Sequence, residues 1–359
     1  MNVLSLFDGM SCGQIAFSKL GIHVDNYYAS EIDKNAIKVT QANFPKTIQL
    51  VDVRNWQDWD LDWSSIDFVS GGFPCQSWSI AGKQLGDKDP RGNLFWTMLD
   101  IMQKVLTENP KAIYLMENVN MKKDFENYIT YHTEQALPLV NKYLINSALL
   151  SAQNRKRFYW TNLTGIEQPE DKGIVLKDIL EDKPKDIIGG ALPNGIQPYV
   201  QDRVFYEPGE LIKEKRIVID KEKRQLLIAE ATKKGYTVIE DGDCFDMGFP
   251  KSTTRRGRNM KDKSNCLTAT EFKYMRYEHS DNEQEFYFRK LSVLECKRLQ
   301  TVPDNYQMPV SDNVAYSLLG NAWTVDVICH ILKGLKTHFE KNEIYFLIIP
   351  PNTEVIYGS

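Results

Sequence analysis

Residues 66–79 read IDFVSGGFPCQSWS, an apolar run followed by two glycines, a proline and a cysteine. The run Ile66–Val69 predicts a short buried strand, and the residues after it predict a tight loop at the carboxyl end of that strand. In an open α/β sheet, ligands bind at this edge. Cys75 is therefore a candidate nucleophile, and the alternative is a small buried cysteine that only fills space. The loop alone leaves both interpretations open.

The composition is that of an ordinary globular protein, with 359 residues of which 42% are hydrophobic and 26% are charged. This length suits one large domain and a smaller one. The six cysteines form no CxxC pair, which argues against a metal site and a disulfide scaffold. Neither a secretory signal nor an apolar run of membrane-spanning length is present, so we expect a cytoplasmic protein with no membrane partner. The net charge of −4 gives no global sign of nucleic-acid binding.

The amino-terminal residues predict the opening of a nucleotide-type βαβ unit. A strand pattern at Val3–Phe7 is followed by a glycine-bearing turn and by a helical pattern at Gln14–Leu20. The turn lacks the lysine and most of the glycines that a pyrophosphate cradle requires. A cofactor with a nucleoside but no phosphate fits better, and S-adenosylmethionine is the leading example.

Two acidic residues at predicted strand ends suit the adenosine part of such a cofactor. Glu31 ends the strand Tyr27–Ser30 and is placed to hydrogen-bond ribose hydroxyls. Asp52 lies in a short strand that ends at Val53, and it could accept from an exocyclic amine. The alternative for each acid is to cap the next helix. The helix predicted after Glu31 spans Lys34–Asn43.

Three charged residues further along the chain are candidates for chemistry. Glu117 follows the apolar run Ala112–Met116, which puts its carboxylate on the same sheet edge as Cys75. Arg155 and Arg157 occupy alternate positions of a predicted strand and so point to one face. A solvated glutamate and a solvated basic edge strand are the alternatives.

Between Trp160 and about Asn265, irregular sequence with prolines and charged stretches replaces the alternation of helices and strands. We assign a smaller, mixed β-rich domain there. Residues 251–263 contain six basic residues and one acid, a local net charge of +5. This run suits phosphate contacts and arginine–guanine readout, and a solvated basic loop is the alternative. Beyond it, Val325–Phe339 predicts a returning helix and Glu343–Ile349 predicts a short strand.

Short motifs occur in an order that resembles the C5-cytosine DNA methyltransferase family of bacteria and phages. They are FDG at 7–9, the acid Glu31, GGFPCQ at 71–76, ENV at 117–119, QNRKR at 153–157, NCLT at 265–268, RKLS at 289–292 and LGNAW at 319–323. The resemblance covers nearly the whole chain apart from one central segment. Ser11 and Cys12, which stand where many bacterial members have two glycines, and Trp323 look more like the vertebrate de novo enzymes. We expect this difference to alter the fit around the methionine part of the cofactor without abolishing binding.

The resemblance implies an α/β fold, a Rossmann-like S-adenosylmethionine-dependent methyltransferase domain with a smaller, mixed β-rich target-recognition domain. The expected division is 1–160 for the catalytic and cofactor-binding domain, 161–285 for target recognition, 286–340 for the return to the catalytic domain and 341–359 for a tail. The expected catalytic residues are Cys75, Glu117, Arg155 and Arg157. The expected cofactor residues are Phe7, Asp8, Gly9, Glu31, Ile32, Asp52, Val53, Phe73, Leu94, Asn321 and Trp323. Together with the local charge, the expected DNA-binding residues are Gln76, Ser77, Arg255, Arg256 and Arg258.

The implied reaction explains why these residue types are needed. Carbon 5 of cytosine attacks a sulfonium methyl only after a thiolate has added at carbon 6, which is the role expected for Cys75. Positive charge from Arg155 or Arg157 would raise the thiolate fraction, and it could also hold the O2 of the base or a phosphate. Glu117 in its protonated form would donate to the ring N3. The main-chain carbonyl of Phe73 could read the exocyclic amine.

The expected partner is double-stranded DNA, whose target base must be flipped out of the helix. A polar segment between Ser79 and Gly92 is a candidate closing loop over that base. We expect a monomer, and a cognate restriction endonuclease is an open alternative as a further partner. Two other functions stay open: a catalytically silent DNA-binding relative, and a tRNA cytosine methyltransferase, whose Cys-Phe-Thr element differs from residues 244–246, CFD, here.

Overall fold

A computed structural model describes residues 1–74, 92–181, 199–201, 217–220, 225–246, 252, 254–269, 274–279 and 286–335. Cys75, Gln76 and Ser77, nearly all of the predicted closing loop and the predicted tail strand lie outside the described residues. Among the described residues, no helix is both long enough and apolar enough to cross a bilayer.

The larger sheet has seven strands and sets the position of every loop discussed below. In spatial order the strands are β3 (Ile48–Gln49), β2 (Asn26–Ser30), β1 (Asn2–Leu6), β4 (Ile66–Gly71), β5 (Ile113–Val119), β8 (Lys156–Thr161) and β6 (Asn141–Asn146). The first five run parallel, whereas β8 runs antiparallel to both of its neighbours. The order reverses at β1, because β2 and β4 lie on its two sides. Such a switch point opens a crevice at the carboxyl ends of the strands.

Among the described residues, four α-helices follow strands of this sheet in the chain. They are α1 (Cys12–Leu20), α2 (Lys34–Asn43), α3 (Leu94–Glu108) and α4 (Lys123–Ala136). The predicted helix at 34–43 is confirmed with both of its ends. Its start is fixed by Asp33, whose side chain accepts a hydrogen bond from the Asn35 amide at 2.8 Å.

Apolar residues on both faces of the sheet explain why its strands read as nearly continuous hydrophobic runs. On one face, Val3 and Phe68 pack with α1, where the rings of Phe17 and Phe68 meet edge to face at 5.4 Å. On the other face, Leu4 and Val69 pack with α3. Each of these buried side chains contributes about 1.5–3 kcal/mol to folding.

The strand predicted to end at Val53 is wrong. The strand β3 ends at Gln49, and Val53–Asp58 form a 3₁₀ helix instead. The cause is Asp52, whose carboxylate accepts a hydrogen bond from the Arg54 amide at 3.0 Å and so caps that helix. The alternative of a strand-end acid acting as a helix cap therefore applies at Asp52.

The carboxyl-terminal part of the chain returns to the larger sheet. It contributes the helices α5 (Val293–Leu299) and α6 (Asp312–Asn321), and residues 325–335 are helical throughout. Leu299, Leu319 and Val325 join the apolar cluster that contains Val3. The predicted helix at 325–339 is confirmed over its described residues.

In the described residues of the β-rich part of the chain, two four-stranded sheets are present. One contains β9 (Tyr199–Gln201), β10 (Ile217–Asp220), β11 (Gln225–Ala229) and β12 (Tyr236–Ile239). The other contains β13 (Cys244–Asp246), β14 (Asn259–Met260), β16 (Tyr274–His279) and β17 (Phe286–Lys290). The second sheet thus runs past the predicted boundary at residue 285. The mixed, β-rich character expected from the sequence is confirmed.

Backbone pairing and a lysine side chain both help to join this β-rich part to the larger domain. The strand β15 (Ser264–Asn265) pairs in parallel with β7 (Gln153–Asn154). Beside them, the Lys263 ammonium donates to the carbonyl oxygens of Ala148 at 2.7 Å, Ser151 at 3.2 Å and Ile174 at 2.6 Å. One side chain therefore ties together three backbone segments.

Helix α6 packs so closely on the loop after β15 that only glycine fits at position 320. A Cβ on Gly320 would overlap the backbone of Thr268, whereas a Cβ on the exposed Gly334 would meet nothing within 4 Å. We expect Gly320→Ala to lower the free energy of unfolding by about 1–3 kcal/mol. Gly334→Ala, the matched control in a helix, should raise it by roughly 0.5 kcal/mol. Urea titrations of the two variants measure both effects, and equal stability of the two would contradict the tight packing at Gly320.

Candidate active site

A cavity of about 510 Å³ opens at the carboxyl ends of β1, β2, β4 and β5. All of the predicted cofactor residues line it: Phe7, Asp8, Gly9, Glu31, Ile32, Asp52, Val53, Phe73, Leu94, Asn321 and Trp323. The predicted catalytic residues Glu117, Arg155 and Arg157 line the same cavity. The fold therefore brings two predicted sets of residues, far apart in the sequence, to a single space.

Glu31 is held rigidly at one wall of the cavity. One carboxylate oxygen accepts from the Gly9 amide at 2.8 Å, and the other accepts from the amides of Ile32 and Asp33, each at 2.8 Å. The turn that presents the Gly9 amide contains Phe7, a non-glycine residue with a positive φ of 55°. This left-handed conformation is unfavourable for a non-glycine residue, and it persists only where the surrounding structure enforces it.

Asp52 faces a residue that the sequence did not indicate as part of the site. Arg54 Nε donates to Asp52 Oδ1 at 2.9 Å, and Arg54 Nη2 lies 2.5 Å from Asp52 Oδ2. This hydrogen bonding lowers the pKa of the Asp52 carboxyl. Arg54 also lines the cavity. The available signal was an acid two residues before an arginine in the segment that follows β3.

Asp8 is the centre of a partly buried hydrogen-bond network at the cavity wall. The Ser11 hydroxyl donates to one of its carboxylate oxygens and the Tyr27 hydroxyl donates to the other, the latter at 2.8 Å. Burial raises the pKa of Asp8 to about 6, although these hydrogen bonds oppose the shift. Gly13 leaves room for the tyrosine, because a Cβ there would lie 2.9 Å from the Tyr27 hydroxyl. Ser11, noted above as a departure from the family pattern, thus has a local partner.

Glu117 lies at the end of β5 with 8% of its surface exposed. Arg157 Nε is 3.0 Å from its Oε1, and the indole N–H of Trp323 donates to its Oε2 at 3.1 Å. A Cβ on Gly72 would lie 2.8 Å from Glu117 Oε2, so the glycine before the Phe-Pro-Cys sequence makes room for this carboxylate. Trp323, predicted only as a cofactor residue, therefore also contacts the predicted catalytic acid.

The two predicted catalytic arginines have different surroundings. Arg155 precedes β8, is 4% exposed, and donates to the carbonyl oxygens of Leu267 at 3.0 Å and Ala322 at 2.9 Å. Its N–H groups are therefore occupied by backbone carbonyl oxygens from two other segments of the chain. Arg157, in β8, reaches Glu117. Both guanidinium groups also contact the Cys266 sulfur, at 3.2 Å from Arg155 Nη1 and 3.7 Å from Arg157 Nη2.

The described backbone reaches Pro74, which lines the cavity immediately before Cys75. Phe73 is buried against the ring of Phe95, and its carbonyl oxygen accepts a hydrogen bond from Asn118 Nδ2 at 3.0 Å. The asparagine of the ENV motif thus fixes the orientation of the carbonyl predicted to read the base.

The predicted DNA-binding arginines are not equivalent. Arg256 is exposed, with its Nε donating to the Ala231 carbonyl at 2.7 Å. Arg255 forms an ion pair with Asp246. Arg258 is 1% exposed and donates to the Asp246 carbonyl at 3.1 Å. Its burial contradicts direct contact with DNA in this conformation and assigns it a part in holding β13 and the basic run together.

A sequence model of the C-5 cytosine-specific DNA methylase family matches residues 1–337. The Type II methyltransferase M1.ScrFI of Lactococcus lactis subsp. cremoris is 29% identical over 357 residues, covering 95% of this chain and 79% of the relative. M.NlaX of Neisseria lactamica is 28% identical over 353 residues, covering 93% and 96%.

Solved structures with the same fold include the following two. A putative DNA modification methyltransferase encoded within an Escherichia coli prophage has a TM-score of 0.57 at 18% identity, covering 95% of this chain and 99% of that one. A mutant of Spodoptera frugiperda DNMT2 has a TM-score of 0.54 at 19% identity, covering 92% and 98%. The Rossmann-like methyltransferase fold expected of this chain from its sequence is confirmed.

The raised pKa of the partly buried Asp8 should make stability depend on pH. Its carboxyl releases a proton near pH 3.8 in the unfolded chain but only near a pKa of about 6 in the folded one. Stability should therefore fall as the pH rises through this window, with the full penalty present above it. Asp8→Asn stays neutral; its one carbonyl oxygen can accept from one of the two hydroxyls and its amide group can donate to the other. The variant should therefore gain stability relative to wild type between about pH 4 and pH 7. Urea titrations across this range test the expectation, and parallel pH curves would contradict it.

Proposed function

The chain belongs to the C-5 cytosine-specific DNA methylase family, and on this premise we propose that it transfers the methyl group of S-adenosylmethionine to carbon 5 of a cytosine flipped out of double-stranded DNA. It is a DNA (cytosine-5-)-methyltransferase by family membership. The observation that carries the finer proposal is the single cavity that both the predicted cofactor residues and Glu117 line.

The residues of the cavity fit S-adenosylmethionine. Glu31 presents a fixed carboxylate that can accept from ribose hydroxyls, and the rings of Phe7 and Trp323 offer flat apolar surface. The arginines of the cavity face protein acceptors: Arg54 faces Asp52, and Arg157 faces Glu117. Because carboxylates of the protein already balance the charge of these two arginines, the site suits a nucleoside without phosphates. When bound, the cofactor supplies an electrophilic methyl group.

The base-side chemistry rests on the residues at the other end of the cavity. We propose that the Cys75 thiolate adds to carbon 6 of cytosine, which makes carbon 5 enamine-like and able to take the methyl group. Water then takes the proton from carbon 5, the electron pair of that bond restores the double bond between carbons 5 and 6, and the sulfur leaves carbon 6 as the thiolate. Glu117 in its protonated form donates to N3 while the adduct exists. The Phe73 carbonyl, oriented by Asn118, accepts from the exocyclic amine.

The β-rich part of the chain is the proposed target-recognition domain, and Arg256 is its best-supported DNA contact among the described arginines of the basic run. Phosphate contacts need an exposed cation, and Arg256 is exposed whereas Arg258 is buried. Gln76 and Ser77 remain proposed contacts from the sequence alone. Relatives named as Type II methyltransferases support a place in a restriction–modification system, with a cognate endonuclease as a proposed partner and the monomer as the proposed state.

The central test replaces the proposed nucleophile. Wild type should transfer a radiolabelled methyl group to duplex DNA and not to tRNA, because residues 244–246 form a buried strand that ends in the aspartate paired with Arg255. Cys75→Ser should lose transfer by at least about a thousandfold, since covalent activation is lost. Calorimetry should find unchanged cofactor affinity in the variant. Transfer to tRNA alone, or cofactor binding lost together with activity, would overturn the assignment.

Arg256→Ala should weaken DNA binding with little effect on stability, because its side chain is exposed. One lost phosphate contact lowers the salt dependence of log K by about 0.9. Lys104→Ala removes one positive charge from the outer helix α3, where Lys104 pairs with Glu108, and serves as the control. DNA affinities over a salt series compare the two. If Arg256→Ala and Lys104→Ala bind DNA equally well, Arg256 does not contact DNA and the basic run is a solvated loop.

A further inference from the structure

Cys266 lies between the two arginines that the site depends on. Its sulfur is 3.2 Å from Arg155 Nη1 and 3.7 Å from Arg157 Nη2, and both guanidinium groups donate toward it. In its thiol form the sulfur can also donate to the Leu267 carbonyl oxygen, which is 3.3 Å away. It follows β15, in a segment that reaches the active site from the β-rich part of the chain. The sequence indicated no role for it beyond membership of a motif.

The electrostatic surroundings of this thiol differ from those of the other described cysteines. Burial raises the pKa of Cys12, Cys244, Cys296 and Cys329 above the usual thiol value. Burial also raises the pKa of Cys266, but the charges of Arg155 and Arg157 outweigh it, so the pKa lies below the usual value. Adjacent guanidinium groups stabilise a thiolate over a thiol.

We propose that Cys266 is a positioning residue of the methyl-transfer reaction, whose thiolate is a second counter-ion for Arg157 beside Glu117. The proposal rests on the function proposed above. Arg157 spans two acceptors, with its Nε at Glu117 Oε1 and its Nη2 at the Cys266 sulfur. When Glu117 holds the proton that N3 requires, it no longer balances the charge of Arg157. The thiolate then does so, and Arg157 keeps its place.

The charged and titratable groups around Cys266 come from three parts of the larger domain. Arg155 and Arg157 face it directly, Glu117 of β5 faces it through Arg157, and Tyr159 and Cys12 interact electrostatically with these arginines. With Glu117 and Cys266 both ionised, the two cations and the two anions cancel. Loss of the thiolate leaves an uncompensated positive charge beside Glu117.

This charge balance predicts a specific change in the pH dependence of the reaction. In Cys266→Ser, the uncompensated Arg157 favours the ionised form of Glu117, so the form that donates to N3 becomes scarcer. The single-turnover rate of methyl transfer to duplex DNA should fall about tenfold near neutral pH, and the alkaline limb of the pH–rate profile should move to lower pH. Cofactor affinity should not change. Cys266→Asp restores an anion and should return the limb toward that of wild type.

A purely structural role for Cys266 gives a different result. The rate of Cys266→Ser would then fall equally at every pH, and Cys266→Asp, which places a larger side chain there, would be no better. Either that pattern or a serine variant with wild-type rate and profile would overturn the proposal.

A second measurement is independent of activity. In the Cys75→Ser background, the ultraviolet absorbance of thiolate at neutral pH should correspond to one thiolate, and it should disappear in Cys75→Ser/Cys266→Ser. No difference between these two variants would overturn the proposal whatever the rates. If wild type transfers no methyl group to DNA, the function proposed above fails, and this absorbance still decides whether Cys266 is ionised.

Discussion

The guanidinium group of Arg155 is buried where three segments of the chain meet. Burying such a charge costs several kcal/mol unless all of its donors find partners, and here they include the carbonyl oxygens of Leu267, Gly320 and Ala322. These acceptors lie 112, 165 and 167 residues further along the chain. The site therefore forms only when the segment after β15 and the carboxyl-terminal return have both docked on the larger sheet. Catalytic competence is in this way coupled to completion of the fold.

The hydrogen bond between Trp323 and Glu117 links the proposed cofactor side of the cavity to the proposed base side. Trp323 belongs to the wall where the methyl donor is proposed to bind, and its indole N–H donates to the acid proposed to act on the base. Gly72 allows the approach because it has no side chain. If the cofactor displaced Trp323, the hydrogen bond from its indole to the Glu117 carboxylate would change directly.

The sequence was informative where the determining contacts are local and uninformative where they are distant. The helix at 34–43 follows from its own cap and pattern, and the order of motifs was sufficient to assemble the cavity residues. The strand expected around Asp52 failed because a side-chain cap two residues away in sequence favoured a 3₁₀ helix. The burial of Arg258 depends on β13, and the surroundings of Cys266 depend on residues over 100 positions away, so neither had a local signal.

Lys263 gives a practical consequence for changing the target sequence. Its ammonium group binds three carbonyl oxygens, all of them on segments outside the two β-rich sheets. A recognition segment transplanted from a relative would arrive without this attachment if the splice were made after Lys263. A chimaera that keeps Lys263, β15 and the segment after it retains the native contacts with the larger domain. Only the surface proposed to read DNA is then exchanged.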